Sequence, residues 1–138
     1  MAPLLALSLV LAEWLWARSV TTPPPPSPKP LAHIPTVEER LVHESTKQGL
    51  PAHIAVNVAW VESRFQEQIV SRTHDYGVMQ LNVHYFPSAP QMTTEQNIRA
   101  GVELLEKYWE QSHDEALTAR AYRQGPAVLR NCRKHKAP

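Results

Sequence analysis

Glu62 and the residues after it are the part of this sequence whose types and spacing could do chemistry. They lie in the stretch AWVESRFQEQIVSRTHDYGVMQLN, Ala59 to Asn82. A glutamate on a solvated helix points outward. Glu62 instead falls on or beside an apolar stripe, one turn after Val58 and flanked by Ala55. A carboxylate on an apolar face has two outcomes. It is paired by a cation or by hydrogen bonds, or its pKa rises so that it keeps its proton. A retained proton makes it a general acid near neutral pH. The helical wheel alone favours the paired or edge-exposed glutamate. Asp75, in the loop after that helix, is the nearest rival for a second carboxylate role.

Other reactive residue types offer less. His33, His43 and His53 recur every ten residues, which is not a whole number of helical turns, and no H-x-x-x-H pair exists. No metal site is expected. The single cysteine, Cys132, can form no internal disulfide and has no metal-ligand spacing around it.

The elements that must position Glu62 are helical. TVEERLVHESTKQGLP opens with Thr36 as N-cap and Glu39 three residues on, a capping-box pattern. Gly49 suits the C′ position, and Pro51 suits the first turn of the next helix. That helix is predicted from about Ala52 to Phe65, with Ile54, Val58, Val61 and Phe65 in one narrow apolar arc. SRTHDYG is a loop by its Ser, Asp and Gly content. VMQLNVHYF fits a short helix or a strand equally well, and PSAPQMTT is another loop. Thr94 is predicted to cap EQNIRAGVELLEKYWEQS, whose stripe is Ile98, Val102, Leu105 and Trp109. Gly101, one turn after Asn97, marks close packing of another element, since a mid-helix glycine costs about 1 kcal/mol relative to alanine. A last helix, DEALTARAYRQ, stops at Gly125-Pro126. No convincing strand run is present. The body is expected to be a compact all-α domain.

The chain has 138 residues and a formal net charge of +1. That suggests one domain with an appendage and gives no reason to expect nucleic acid binding. The tail RNCRKHK, Arg130 to Lys136, reads as a solvated basic terminus, with an electrostatic contact to an anionic surface as the alternative. TTPPPPSPKP, Thr21 to Pro30, has polyproline II composition and reads as a semi-rigid tether. Before it, Leu4 to Ala12 is an apolar run of signal-peptide size, although no Lys or Arg precedes it and no clean small-x-small site follows. Glu13 interrupts the run, and even extended to Ala17 it is marginal for a bilayer span of about 20 residues. Residues 1–20 are therefore expected to be an export signal or weak membrane anchor, 21–35 a proline-rich linker, and 36–138 the domain. The expected location is exported: the periplasm or cell envelope.

Taken in order, Glu62-Ser63 with Phe65, then Ser71, YGVMQLN, NIRAG and ALTARAYRQGP resemble the lytic transglycosylase domain. This is a lysozyme-like family related to goose-type lysozyme. The resemblance covers about Thr36 to Val128, and it implies a lysozyme-like helical fold and cleavage of peptidoglycan glycan strands. Glu62 would be the single catalytic acid/base, protonating the oxygen between N-acetylmuramic acid and N-acetylglucosamine. The muramyl 6-hydroxyl would attack within the substrate to give a 1,6-anhydro product. No second carboxylate, metal or cofactor is then needed, and the family motif has no acidic residue required at Asp75. Ser71 would lie near the acetamido group and the acid. Gly77 would let the chain pass closely under the sugar, and Met79 would supply apolar wall. Gln80 would hydrogen-bond the glycan. The Tyr122 hydroxyl would lie near the acid and the developing positive charge. Two departures stand out. Arg123 occupies the place where the family usually has Asn, and QLN replaces Q-x-M-P, so that Asn82 looks more like the branch found with secretion and conjugation machinery or with phages. The implied partners are peptidoglycan strands and, for recruitment, such an envelope assembly; a monomer is expected. The rival readings are a muramidase that uses the same glutamate and water, a non-catalytic glycan-binding or assembly protein, and an all-α regulator.

Overall fold

The computed structural model describes residues 32–130. The apolar head, the whole proline run, Cys132 and most of the basic tail lie outside the described residues. Everything below concerns the compact unit that begins at Ile34.

Helix α1, Val37–Gln48, starts where its capping box requires. The Thr36 hydroxyl accepts the Glu39 N–H at 3.2 Å, and the Glu39 carboxylate accepts the Thr36 N–H at 2.8 Å. It ends on Gly49 in the left-handed region, φ 80°. Helix α2, Ala52–Ser63, follows after Pro51 and buries Ile54, Ala55, Val58 and Ala59. It is shorter than predicted because Arg64 and Phe65 both adopt positive φ, 55° and 62°. Val61 is not in the core but 58% exposed. The buried stripe is the Ile54–Val58 row with its Ala55–Ala59 neighbour, and continuing the first row by one turn arrives at Glu62.

The segment after α2 holds a small antiparallel hairpin, β1 (Asp75–Tyr76) and β2 (Leu81–Asn82), with Asp75 opposite Asn82 and Tyr76 opposite Leu81. The sequence reading left VMQLNVHYF, which holds β2, open between a short helix and a strand, and read SRTHDYG, where β1 begins, as a loop. Two-residue strands are too short for a period-2 pattern to be visible. A 3-10 turn at Ala89–Gln91 leads to α3, Thr94–Ser112, capped by Thr93 rather than Thr94, with Gln96 completing its capping box. Ile98, Val102 and Leu105 are buried as expected, and Trp109 packs partly buried against the same core. Helix α4, Glu115–Gln124, is capped by Asp114, which accepts the Leu117 N–H at 2.8 Å, and it stops at Gly125 before a 3-10 turn, Pro126–Leu129. Among the described residues no helix is long and apolar enough to cross a membrane.

The core joins Leu41 of α1, Ile54 and Val58 of α2, Val78, Met79 and Leu81 of the hairpin, and Ile98, Val102 and Leu105 of α3. Hairpin and α3 meet at Gly101, as the sequence predicted. A Cβ there would stand 2.5 Å from both Cβ and Cγ of Met79. Gly101→Ala should therefore destabilise the protein by about 2 kcal/mol in chemical denaturation, although alanine is the better helix former. At Gly49, where nothing lies within 4 Å of an added Cβ, alanine meets only backbone strain, so Gly49→Ala should cost less, about 1 kcal/mol.

Candidate active site

Glu62 stands in the last turn of α2, and its side chain is 21% exposed. Burial among apolar neighbours penalises the ionised form and raises its pKa above the ordinary 4.5. Arg123 opposes this, its Nε 3.7 Å from Glu62 Oε1, and Asp75 reinforces it. The net shift is upward. The reason is dielectric: Arg123 is 64% exposed, so water screens its charge, whereas the loss of hydration at Glu62 is local. Arg123 thus turns toward Glu62 while remaining in solvent.

The segment after Glu62 is tied down on both sides. Glu67 accepts from Arg40 of α1 at 2.8 Å and from the Thr94 hydroxyl of α3 at 2.6 Å, and Arg40 also reaches Glu95 at 2.9 Å. Immediately past the helix, the Arg64 guanidinium lies 4.8 Å from the Trp60 ring centroid, and Phe65 packs on the same ring at 5.3 Å.

Ser71 is fully engaged within its own loop. Its hydroxyl donates to Asp75 Oδ2 at 2.5 Å, while its oxygen accepts the N–H groups of Thr73 and Asp75 at 3.2 and 3.0 Å. The hydroxyl has no donor or lone pair left for a sugar unless one of these bonds is exchanged. Thr73 also donates to Asp75 Oδ2, and Asn82 donates to Asp75 Oδ1 at 2.7 Å. Asn82 further donates to the Thr73 carbonyl at 2.9 Å and accepts the His84 N–H at 2.9 Å. Its departure from the common motif therefore has a local structural role, holding the hairpin and the following turn.

Gly77 is required for a different reason from the one read from the sequence. Its φ is 75°, and an added Cβ would stand 2.7 Å from the side chain of Asn97, not in an open groove. Met79 has no exposed surface at all, so its side chain is core rather than a wall that a glycan could touch. Gln80 is half-buried at φ 48°, and its Nε2 donates to the Gly77 carbonyl at 2.9 Å, so the amide nitrogen is committed to the hairpin and the amide oxygen is not. Tyr122 donates its hydroxyl proton to the Met79 carbonyl at 2.6 Å. Burial, with the charges of Glu62 and Asp75, pushes its phenol far above the ordinary 10, so it stays a neutral donor.

The residue that sequence reasoning missed is Asn97. It is buried on α3, accepts the Met79 N–H at 2.8 Å, and donates to the Tyr76 carbonyl at 2.8 Å. The only signal for it was its place in NIRAG, one turn before Gly101. Among the described residues no group of His, Cys, Asp and Glu side chains is arranged to hold a metal ion.

The structure thus brings Glu62, Arg123, Tyr122 and Asp75 within electrostatic reach of one another. Gln80 and Ser71 lie on the hairpin and its approach, and Gly77 and Met79 form the internal side of that hairpin. Residues 41–137 match the family model described as the Transglycosylase SLT domain. No curated protein matches the chain. The matched span covers most of the chain and includes Glu62, the hairpin and Tyr122. The chain belongs to the transglycosylase SLT domain family, whose members are lytic transglycosylases acting on peptidoglycan.

Proposed function

We propose that this enzyme cleaves the β-1,4 bond between N-acetylmuramic acid and N-acetylglucosamine without water, using Glu62 as its single proton-transfer group. The observation that carries the reading is the position of Glu62: half-buried at the end of an apolar helix row, with its proton affinity raised mainly by burial. A carboxyl in that state can protonate the glycosidic oxygen as the C–O bond breaks. Positive charge then develops at the anomeric carbon. The muramyl 6-hydroxyl attacks that carbon and passes its proton to the Glu62 carboxylate. The acid is regenerated, and the product carries a 1,6-anhydro ring. No metal or cofactor enters any step.

Around this centre the amide oxygen of Gln80 is the group suited to accept from a sugar hydroxyl. The neutral Tyr122 hydroxyl orients the Met79 carbonyl beneath the site. Ser71, Gly77 and Met79 support the reaction by holding the hairpin in shape. The enzyme acts as a monomer outside the cytoplasm, in the periplasm or cell envelope. The apolar run at Leu4 to Ala12 and the proline tether support export and attachment. The likeness of QLN to the secretion, conjugation and phage branch supports recruitment by such an assembly.

Purified peptidoglycan treated with the full-length protein should release anhydro-muropeptides detectable by mass spectrometry. Glu62→Gln should reduce that release by about 10³-fold. Reducing-end products would instead identify a muramidase, and binding without products would identify a glycan-binding protein. The same variant should melt no lower than the parent at pH 7. A carboxyl whose pKa is raised by folding favours the fold below its unfolded pKa, and that contribution is lost as pH rises through the folded value. Removing the ionisable group therefore relieves a cost present at neutral pH, and the gap in Tm should close as pH falls below about 4.5.

The activity should fall as pH rises through the raised pKa of Glu62. Arg123→Gln removes the cation that lowers it, so the alkaline limb of kcat/KM should move to higher pH. A limb unchanged in Arg123→Gln would mean that the 3.7 Å contact has no effect on the acid.

A further inference from the structure

His53 is one of the three regularly spaced histidines of the sequence. It belongs to no metal-binding group among the described residues, and no step proposed for the reaction uses it. Its place in the structure is nevertheless specific. His53 stands in the first turn of α2, and its Nε2 donates to Oε1 of Glu115, in the first turn of α4, at 2.6 Å. A ring nitrogen facing an ionised carboxylate at that distance carries a proton, so the bond exists with a neutral or a charged imidazole. The same two helices meet again at their other ends. Glu62 is the last residue but one of α2, Arg123 is the last but one of α4, and they approach to 3.7 Å. Start is joined to start and end to end, so the two helices run in the same sense. At about 1.5 Å per residue, the joined positions are about 13.5 Å apart along α2 and about 12 Å apart along α4.

Other bonds hold α4 to its remaining neighbours. The buried Thr118 hydroxyl meets that of Ser112 of α3 at 2.9 Å, and the Tyr122 hydroxyl donates to the Met79 carbonyl of the hairpin at 2.6 Å. Among the described residues, His53–Glu115 and Arg123–Glu62 are the side-chain ties between α2 and α4. A helix held near its C-terminal end by Tyr122 and Arg123 still pivots about that hold. A second tie at its start removes the pivot. The pivot matters because 3.7 Å is near the outer limit of ion pairing, so a shift of half an ångström takes Arg123 out of reach of Glu62. The groups that bear on Glu62 are Arg123 and Tyr122 from α4 and Asp75 from β1, and the charged group that faces His53 is Glu115 of α4.

We infer that the His53–Glu115 contact is an interhelical clasp that holds α4 in register with α2 and so delivers Arg123 to Glu62, which makes His53 and Glu115 positioning residues. That their effect reaches the reaction rests on the reading of Glu62 as the acid. The clasp acts through geometry and not through its own charge. His53 lies about 13.5 Å along the helix from Glu62, beyond the screening length of about 8 Å at physiological ionic strength, and Glu115 stands beside it with the opposite sign. With the clasp closed, Arg123 tempers the rise that burial imposes on Glu62 and leaves the acid readier to give up its proton. With the clasp open, burial acts with less opposition. The assignment gives a role to two solvent-facing side chains in two first turns, and it joins the departure at Arg123 to a second feature of this chain.

The test is a carboxyl NMR titration of Glu62 in the full-length protein, comparing wild type with His53→Ala, Glu115→Ala and the two together. Both side chains are more than half exposed, at 55% and 60%, so the variants keep their fold. Opening the clasp from either side should raise the Glu62 midpoint by about 0.3 pH unit, and the double variant should go no further than either single one. The shared sign is decisive. Direct action of the lost charges predicts opposite shifts, upward when the His53 cation is removed and downward when the Glu115 anion is removed. His53→Lys keeps a cation against Glu115 and should restore the wild-type midpoint. In an Arg123→Gln background the clasp variants should move nothing. Absent or opposite shifts, no rescue by His53→Lys, or shifts that persist without Arg123 overturn the inference. The alkaline limb of kcat/KM, measured on the same variants, should follow the midpoint. If the midpoint moves as expected and the limb does not, the clasp keeps this role, and the assignment of Glu62 as the acid fails.

Discussion

The carboxamide of Asn97 is the bond pair on which the site rests. Its oxygen takes the Met79 N–H and its nitrogen gives to the Tyr76 carbonyl, both at 2.8 Å. These are two backbone groups of a turn that reaches into the core and has almost no ladder of its own. Buried backbone groups left unpaired would each cost about 1–3 kcal/mol, so a two-residue hairpin can be internal only if something else satisfies it. Asn97 does so from a rigid helix. Its side chain fits because Gly77 has no Cβ, and α3 comes near enough because Gly101 has none either. Tyr122 then secures the other side of the same turn through the Met79 carbonyl. One turn is thus held between α3 and α4, and the residues before and after it, Asp75 and Gln80, inherit that fixed geometry.

Glu62 owes its state to a contest that dielectric decides. An ion pair at 3.7 Å with a largely exposed arginine is a weak interaction in water, and exposed pairs contribute about 0–1 kcal/mol. Desolvation of a half-buried carboxylate acts at no distance and is not screened. A family-typical asparagine next to Tyr122 would leave that contest to burial alone. Here a cation has been added on one side, while a caged anion stands on the other. The acid keeps a raised pKa because its own burial outweighs a cation that sits in solvent, with Asp75 adding a smaller push in the same direction.

Much of this was legible in the residues. Thr36 with Glu39, Gly49, and the stop at Gly125-Pro126 are local signals, and local capping chemistry does not depend on tertiary context. Gly101 was legible because glycine is costly in a helix unless something presses on it. Glu62 was legible because it continues an apolar row. The rest depended on partners far apart in sequence. Val61 looked like core because α2 is apolar on nearly all sides, so its wheel gives no direction. Ser71 looked like a group for a ligand, since nothing in a linear reading says that its hydroxyl is taken by Asp75. Gly77 looked like the floor of a groove because the occupant of its missing Cβ, Asn97, lies twenty residues away.

The end of α2 explains why the acid stands where it does. A helix C-terminus presents unpaired carbonyls and partial negative charge, which disfavours an anion in the last turn. Glu62 is the last residue but one of α2, so the helix itself works in the same direction as burial. The stop is abrupt. Arg64 and Phe65, neither a glycine, both enter the left-handed region, a conformation of some cost for ordinary residues. The cost is offset locally: Arg64 lies over Trp60, Phe65 packs on the same ring, and the Arg64 N–H still donates to the Trp60 carbonyl at 3.0 Å. Had α2 continued one more turn, Glu62 would stand mid-helix, away from the terminal carbonyls, and the chain would not turn back toward the hairpin that brings in Asp75. The strained turn is what makes a helix residue into a site residue, and the Trp60 cluster is what makes the turn tolerable.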